Sequence, residues 1–170
     1  MGTRSLFIIG LLCLASCGSY NSIDSFYEAH KNDNQVTAIR VPQFMLTTLS
    51  GISPEIKELI GGANDLRYMH FAVENPSRAQ FLNTQINGIT GNSFIEIFRK
   101  NDELKRSVVS IRERKNSVKE ILIYNNNISS GSLLYINGDF NPARVRHMAQ
   151  NNDFDNLGNF LGNYGVNLSN

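Results

Sequence analysis

Tryptophan is absent from this 170-residue chain, and its two cysteines, Cys13 and Cys17, both lie close to the N-terminus. Past them no thiol remains to close a disulfide, ligate a metal or attack a substrate, and the CxxC spacing of redox and zinc sites does not occur. The three histidines, His30, His70 and His147, never stand at the HxH or HxxxH spacing that sets two imidazoles on one metal. His70, flanked by apolar residues, reads as a hydrogen-bonded histidine at a sheet surface. Glycines do not gather into a phosphate loop: Gly88, Gly91, Gly131 and Gly138 are scattered, and no GxSxG elbow is present. Carboxylates come in near pairs, Glu55/Glu58, Asp102/Glu103 and Asp153/Asp155, at a helix start, a turn and the C-terminal segment. None of these pairs is placed by the sequence across a cleft, as glycosidic chemistry needs. The expectation is a non-enzymatic protein with no catalytic residue, no metal ligand and no cofactor.

What the chain does have begins at its N-terminus. Arg4 is the one charge ahead of Leu6–Ala15, a stretch free of charge and far shorter than the roughly 18–20 apolar residues of a membrane-spanning helix. A basic start, an apolar centre and small residues before a break make a secretory signal. Leu14-Ala15-Ser16-Cys17 resembles the bacterial lipobox, in which a cysteine thiol is acylated before cleavage. The resemblance implies that residues 1–16 are a lipoprotein signal peptide, that Cys17 is the lipidated residue, and that 17–22 are a tether. Acyl chains contribute about 0.8 kcal/mol per buried CH₂, so two or more hold a protein on a bilayer without a spanning helix. No aspartate directly follows Cys17, and only Asp24 stands where surface-exported lipoproteins carry an acidic run. By this resemblance the expected place is the outer membrane, with the domain facing the periplasm.

A hydrophobic content of 41% fits one packed domain of net charge +1, and the expected place outside the cytoplasm argues against a nucleic-acid partner. The charge is unevenly spread. Residues 99–119 carry eight basic residues against Asp102, Glu103 and Glu113. Lys105, Arg106, Arg112, Arg114 and Lys115 form a candidate patch facing anionic head groups or an acidic envelope protein, each cation near a membrane being worth about 1 kcal/mol. The alternative is a solvated hairpin whose charges keep strand edges from pairing with other chains.

Along the chain, Ile23, Phe26 and Tyr27 predict a short helix capped by Ser22 or Asp24. Gln35–Val41 is β-branched and predicts a strand, with Pro42 opening a short helix to Leu49. Ser53-Pro54-Glu55 is a cap, proline and acid at a helix start, and Ile56, Leu59, Ile60 and Ala63 give that helix one apolar face. Leu66–Val73 is apolar on both faces and predicts an interior strand. Asn75-Pro76 and Asn141-Pro142 repeat the cap-and-proline signal. Between them Ser93–Arg99, Lys105–Arg114, Val118–Tyr124 and Ser132–Phe140 read as strands with short breaks, the longest being Asn125–Gly131. In the second of these strands Ser110 and Arg112 alternate with Val109 and Ile111, which predicts one wet face. Residues 153–170 have apolar residues at helical spacing interrupted by Gly158, Gly162 and Gly165, and are expected as a partly ordered Gly/Asn-rich tail. Residues 23–152 are then one α+β domain: a mainly antiparallel sheet ending in a four-strand meander, with helices packed on one face.

The β-branched strand before Phe44-Met45-Leu46, the strand Leu66-Arg67-Tyr68-Met69 leading to Glu74-Asn75-Pro76, and the hairpins closing on Gly138-Asp139-Phe140 and a helix resemble the Bacteroidetes lipoprotein family catalogued as domain of unknown function 4252. The resemblance spans roughly residues 22–150. It implies a secreted or lipid-anchored α+β domain and brings no catalytic residues. The expected role is an interaction or envelope-sensing module, with carriage of a small apolar ligand as the alternative and a hydrolase further behind.

Overall fold

The computed structural model describes residues 22–51, 54–91, 93–102, 105–151 and 153–168. The expected leader, Cys17, all of the tether but Ser22, and the expected cap Ser53 lie outside these residues. The elements run α1 (Ile23–His30), β1 (Val36–Val41), α2 (Gln43–Ser50), α3 (Pro54–Ile60), β2 (Ala63–Ala72), α4 (Pro76–Thr90), β3 (Ile95–Asp102), β4 (Lys105–Arg114), β5 (Ser117–Asn127), β6 (Ser130–Phe140), α5 (Pro142–Gln150) and α6 (Asp153–Leu168). The strands form one six-stranded sheet in the order β1-β2-β6-β5-β4-β3, antiparallel throughout, so the α+β class, the interior position of β2 and the meander β3–β6 agree with the sequence.

Local chemistry starts the helices. The Ser22 hydroxyl accepts from the Ser25 N–H, the Asn75 side chain accepts from Arg78 N, and the Asn141 side chain accepts from both Ala143 N and Arg144 N. Pro42 is the cap of α2 rather than its first helical residue. Lys115 and Asn116 both have positive φ, 51° and 62°, which gives the β4–β5 hairpin a turn that follows the right-handed twist of its strands.

The helices cover both faces of the sheet, not one. On the first face α2, α3, α5 and α6 bury Leu46, Leu49, Ile60, Val145, Met148, Phe154, Leu157 and Leu161 against Leu66, Tyr68, Ile121, Ile123, Leu134 and Ile136. On the second, α1 and α4 bury Ile23, Phe26, Tyr27, Leu82, Ile86 and Ile89 against Met69, Phe71, Leu122, Tyr124 and Leu133. The expected wet face of β4 is therefore covered: Ser110 is buried and Arg112 half-buried. The C-terminal segment is likewise a helix seated in the core. A Cβ on Gly162 would lie 3.0 Å from the Tyr68 Oη, so the glycine that lowers helix propensity lets α6 close on that ring.

A second close approach joins β2 to β6, where Asp139 N donates to the Gly62 carbonyl at 2.9 Å and a Cβ on Gly138 would collide with that same oxygen. Backbone cannot swing aside as a side chain can. Gly138→Ala is expected to destabilise the chain by about 2 kcal/mol, read from urea unfolding of the variant beside the parent.

Candidate functional site

The register resolves the first face of the sheet into cross-strand rows. Ile39, Tyr68, Leu134, Ile123, Val109 and Phe98 form one apolar row beneath the helices. Two residues further along each strand the chemistry changes, and the next row reads Thr37, His70, Ser132, Asn125, Ser107 and Lys100. Beyond it lie Ser130, Asn127, Lys105 and Asp102. Most of this polar end of the sheet is the floor of a cavity of about 550 Å³, walled by Phe154, Asp155, Gly158 and Asn159 from the start of α6. Asn125 Nδ2 donates to Asp155 Oδ1 at 3.1 Å and ties floor to wall. Burial of the Tyr68 phenol at the apolar rim pushes its pKa up.

The hairpin β5–β6 frames the same end. The expected break at Asn125–Gly131 is instead strand on both sides of a tight tip at Ile128-Ser129. Asn127 Oδ1 accepts from Ser129 N and Ser130 N, both at 2.8 Å, and so holds the tip. Asn126 turns to the second face, where its Nδ2 donates to Ala79 O and Asn83 Oδ1, both at 3.2 Å, fastening β5 to α4. A second cavity of about 510 Å³ opens there, lined by Asn75, Gln80, Asn83, Asn101, Arg106 and Ile128 among others. Amides therefore collect on both faces of one end of the sheet.

Ion pairs collect at the other end. Arg67 meets Asp65 and Asp24, Arg40 meets Asp65, Arg112 meets Glu120, Arg146 meets Glu113, Lys119 meets Asp139, and Arg144 meets Glu58. Lys119 and Ser117 hold the Asp139 carboxyl below the usual carboxylate range. The chain enters the domain at this end, because Asp24 in the first turn of α1 reaches Arg67 while His30 at its last turn meets Asp33, which in turn meets Arg78 beside the second cavity.

The five basic residues singled out in the sequence do not form one patch. β4 is 10 residues long, about 33 Å when extended, and its side chains alternate between faces. Lys105 stands on the floor of the first cavity. Arg106 turns to the second face, where it donates to Asn87 Oδ1 at 2.6 Å and lies over the Tyr124 ring; burial and then Arg99 pull its pKa down. Arg112 is engaged by Glu120 and Ser93 over the Phe94 ring. Arg114 and Lys115 are exposed at the far end, in and beside the β4–β5 turn. The histidines are equally dispersed: His70 is exposed on the cavity floor, His30 is buried on Asp33, and His147 faces Asn151. Among the described residues no cluster of His, Cys, Asp and Glu could hold a metal.

Sequence reading passed over the site residues Ser107, Asn125, Asn127, Ser130 and Ser132. A signal was there: the polar residues Asn125 and Asn127 mirror Ser130 and Ser132 about the tip, as partners on one face of a hairpin must.

No curated protein and no solved structure matches the chain. Residues 27–148 match the family model described as Domain of unknown function (DUF4252). That span contains all six strands and every floor residue of the first cavity, and the chain belongs to this family.

Proposed function

We propose that this chain is a lipid-anchored binding module of the cell envelope, without chemistry of its own, that holds its amide-lined end away from the membrane. One observation carries the reading: the cavities open at the end of the sheet opposite to the entry of the chain. Lipid on Cys17 ties the ion-pair end near head groups, with Arg114 and Lys115 on that side, and leaves the amide end to meet a partner. The lining favours a polar occupant over an apolar one, since the apolar rows are already covered by helices.

The lipidated chain, reconstituted in vesicles and labelled at a single introduced cysteine, tests this. With Cys17 acylated, Lys115→Cys and Ile128→Cys each leave one reactive thiol. A fluorophore at position 115 should be quenched severalfold more by spin-labelled lipid than one at position 128. Equal quenching, or a chain that a fatty-acid probe leaves unlabelled in cells, overturns the proposal.

A further inference from the structure

We infer that the groove on the first face takes a neutral oligosaccharide; this deepens the binding-module reading and rests on it. Most of the floor is built from the interior strands β2, β6, β5 and β4, whose backbone N–H and C=O groups are consumed by the ladders on either side, while the edge strand β3 adds Phe98, Lys100 and Asp102 at the outer side. A peptide added as an extra strand needs a free edge, which within the groove only β3 offers, at the outer side and not over the floor. Recognition is left to side chains, among them the hydroxyls and amides of Ser107, Ser132, Asn125 and Asn159. Each such group both donates and accepts, as does each hydroxyl of a sugar, so a ring carrying adjacent hydroxyls can satisfy them in pairs.

Charge argues for a neutral ligand. Lys100, Lys105 and Arg106 line the groove together with Asp102 and Asp155, but the Arg106 guanidinium is engaged by Asn87 over the Tyr124 ring on the second face, so two cations and two carboxylates are left to the floor and wall. The molecule keeps most of its paired charges at the opposite end of the sheet. Shape argues for a linear one. The polar row crosses from β2 to β3 over four strand spacings, about 19 Å. Of the aromatic residues along the inner rim, Phe98 is half-buried and offers apolar surface to the C–H face of a ring, while Tyr68 and Phe154 are buried behind it. The second cavity, with Asn75, Asn83 and Asn101 beside the shared Asn126 and Asn127, continues the same chemistry around the tip.

Calorimetric titration of the full lipidated chain in micelles provides the test, with cellotetraose, maltotetraose and chitotetraose as neutral probes and tetragalacturonate as the acidic one. At least one neutral probe should bind with Kd below about 1 mM, the range open to a handful of neutral hydrogen bonds. Asn125→Ala and Ser132→Val should each weaken that binding about tenfold, whereas Asn64→Ala, outside the groove, should not. Asn125→Ser is the milder variant, read only alongside an unchanged thermal melt, and should still lose affinity. Absence of binding by all three neutral probes at about 5 mM, tighter binding of tetragalacturonate, or indifference to Asn125 overturns the inference. Orientation on vesicles is read without any sugar, so loss of the oligosaccharide result alone leaves the binding module standing, and loss of the quenching result alone leaves the groove's ligand standing.

Discussion

Arg67→Ala should cost about 3 kcal/mol of folding stability, read from urea unfolding with the slope unchanged. Arg67 is only 7% exposed. Its guanidinium donates to Asp65 Oδ2 through Nε at 2.9 Å and through Nη2 at 2.6 Å, reaches Asp24 on α1, and lies 5.5 Å from the Tyr27 ring centroid and 5.7 Å from that of Tyr135. Burial alone would lower its pKa, but the hydrogen bonds to Asp65 and Asp24 more than offset this and hold the group charged. Truncation to alanine removes both pairs and both ring contacts and leaves Asp65, which is 21% exposed, with the more exposed Arg40 as its remaining partner. The partners are unequal. Asp24 is 77% exposed and can return to water, so Asp24→Ala should cost no more than about 1 kcal/mol. Arg67→Met keeps most of the volume and should fall between the two. The difference matters because Arg67 is where α1 is fastened to the sheet.

The parts of the fold legible in the sequence are those decided within a few residues. Asn75-Pro76 and Asn141-Pro142 announce helix starts because a cap needs only its own side chain and the N–H groups just ahead of it. β2 shows as an interior strand because both of its faces are apolar. The allocation of helices to faces is another matter: an apolar stripe says that a helix must be covered, not which side of a sheet covers it. α6 is masked for a related reason. Gly158 and Gly162 lower its intrinsic propensity, and at Gly162 only the nearness of Tyr68 explains why glycine stands there. The site was hidden most of all, since it is a property of register. His70, Ser132, Asn125 and Ser107 are neighbours only once four strands are aligned, and a slip of one residue would scatter them to opposite faces. The basic residues of β4 show the converse: adjacent in sequence, they are divided by alternation and by the length of an extended strand.

Raising the pH should undo this protein steeply once it passes about 10, the ordinary tyrosine value. Of six tyrosines, Tyr27, Tyr68, Tyr124 and Tyr135 all have pKa values raised by burial, Tyr135 further by Glu120. Tyr124 is fully buried and carries one of the two largest rises. A phenol whose folded pKa lies above its unfolded one keeps its proton in the native state while the unfolded chain gives its proton up. The stability it supports is complete below the unfolded pKa and falls as pH climbs from there toward the folded value, by up to about 1.4 kcal/mol per pH unit for one such group. Tyr124 and Tyr135, with the two largest rises, should each contribute nearly that slope, and Tyr27 and Tyr68 less. Urea midpoints measured at about pH 9, 10 and 11 should therefore drop with accelerating slope, and the phenolate absorbance of these four rings should rise together with loss of structure rather than before it. Tyr124→Phe isolates the cause. Lysines lose charge in the same range and will weaken pairs such as Lys119–Asp139 in both proteins, but only the parent carries the Tyr124 proton. If the variant and the parent lose stability with the same slope, the alkaline sensitivity does not come from this ring; the expected result is a visibly flatter fall for Tyr124→Phe.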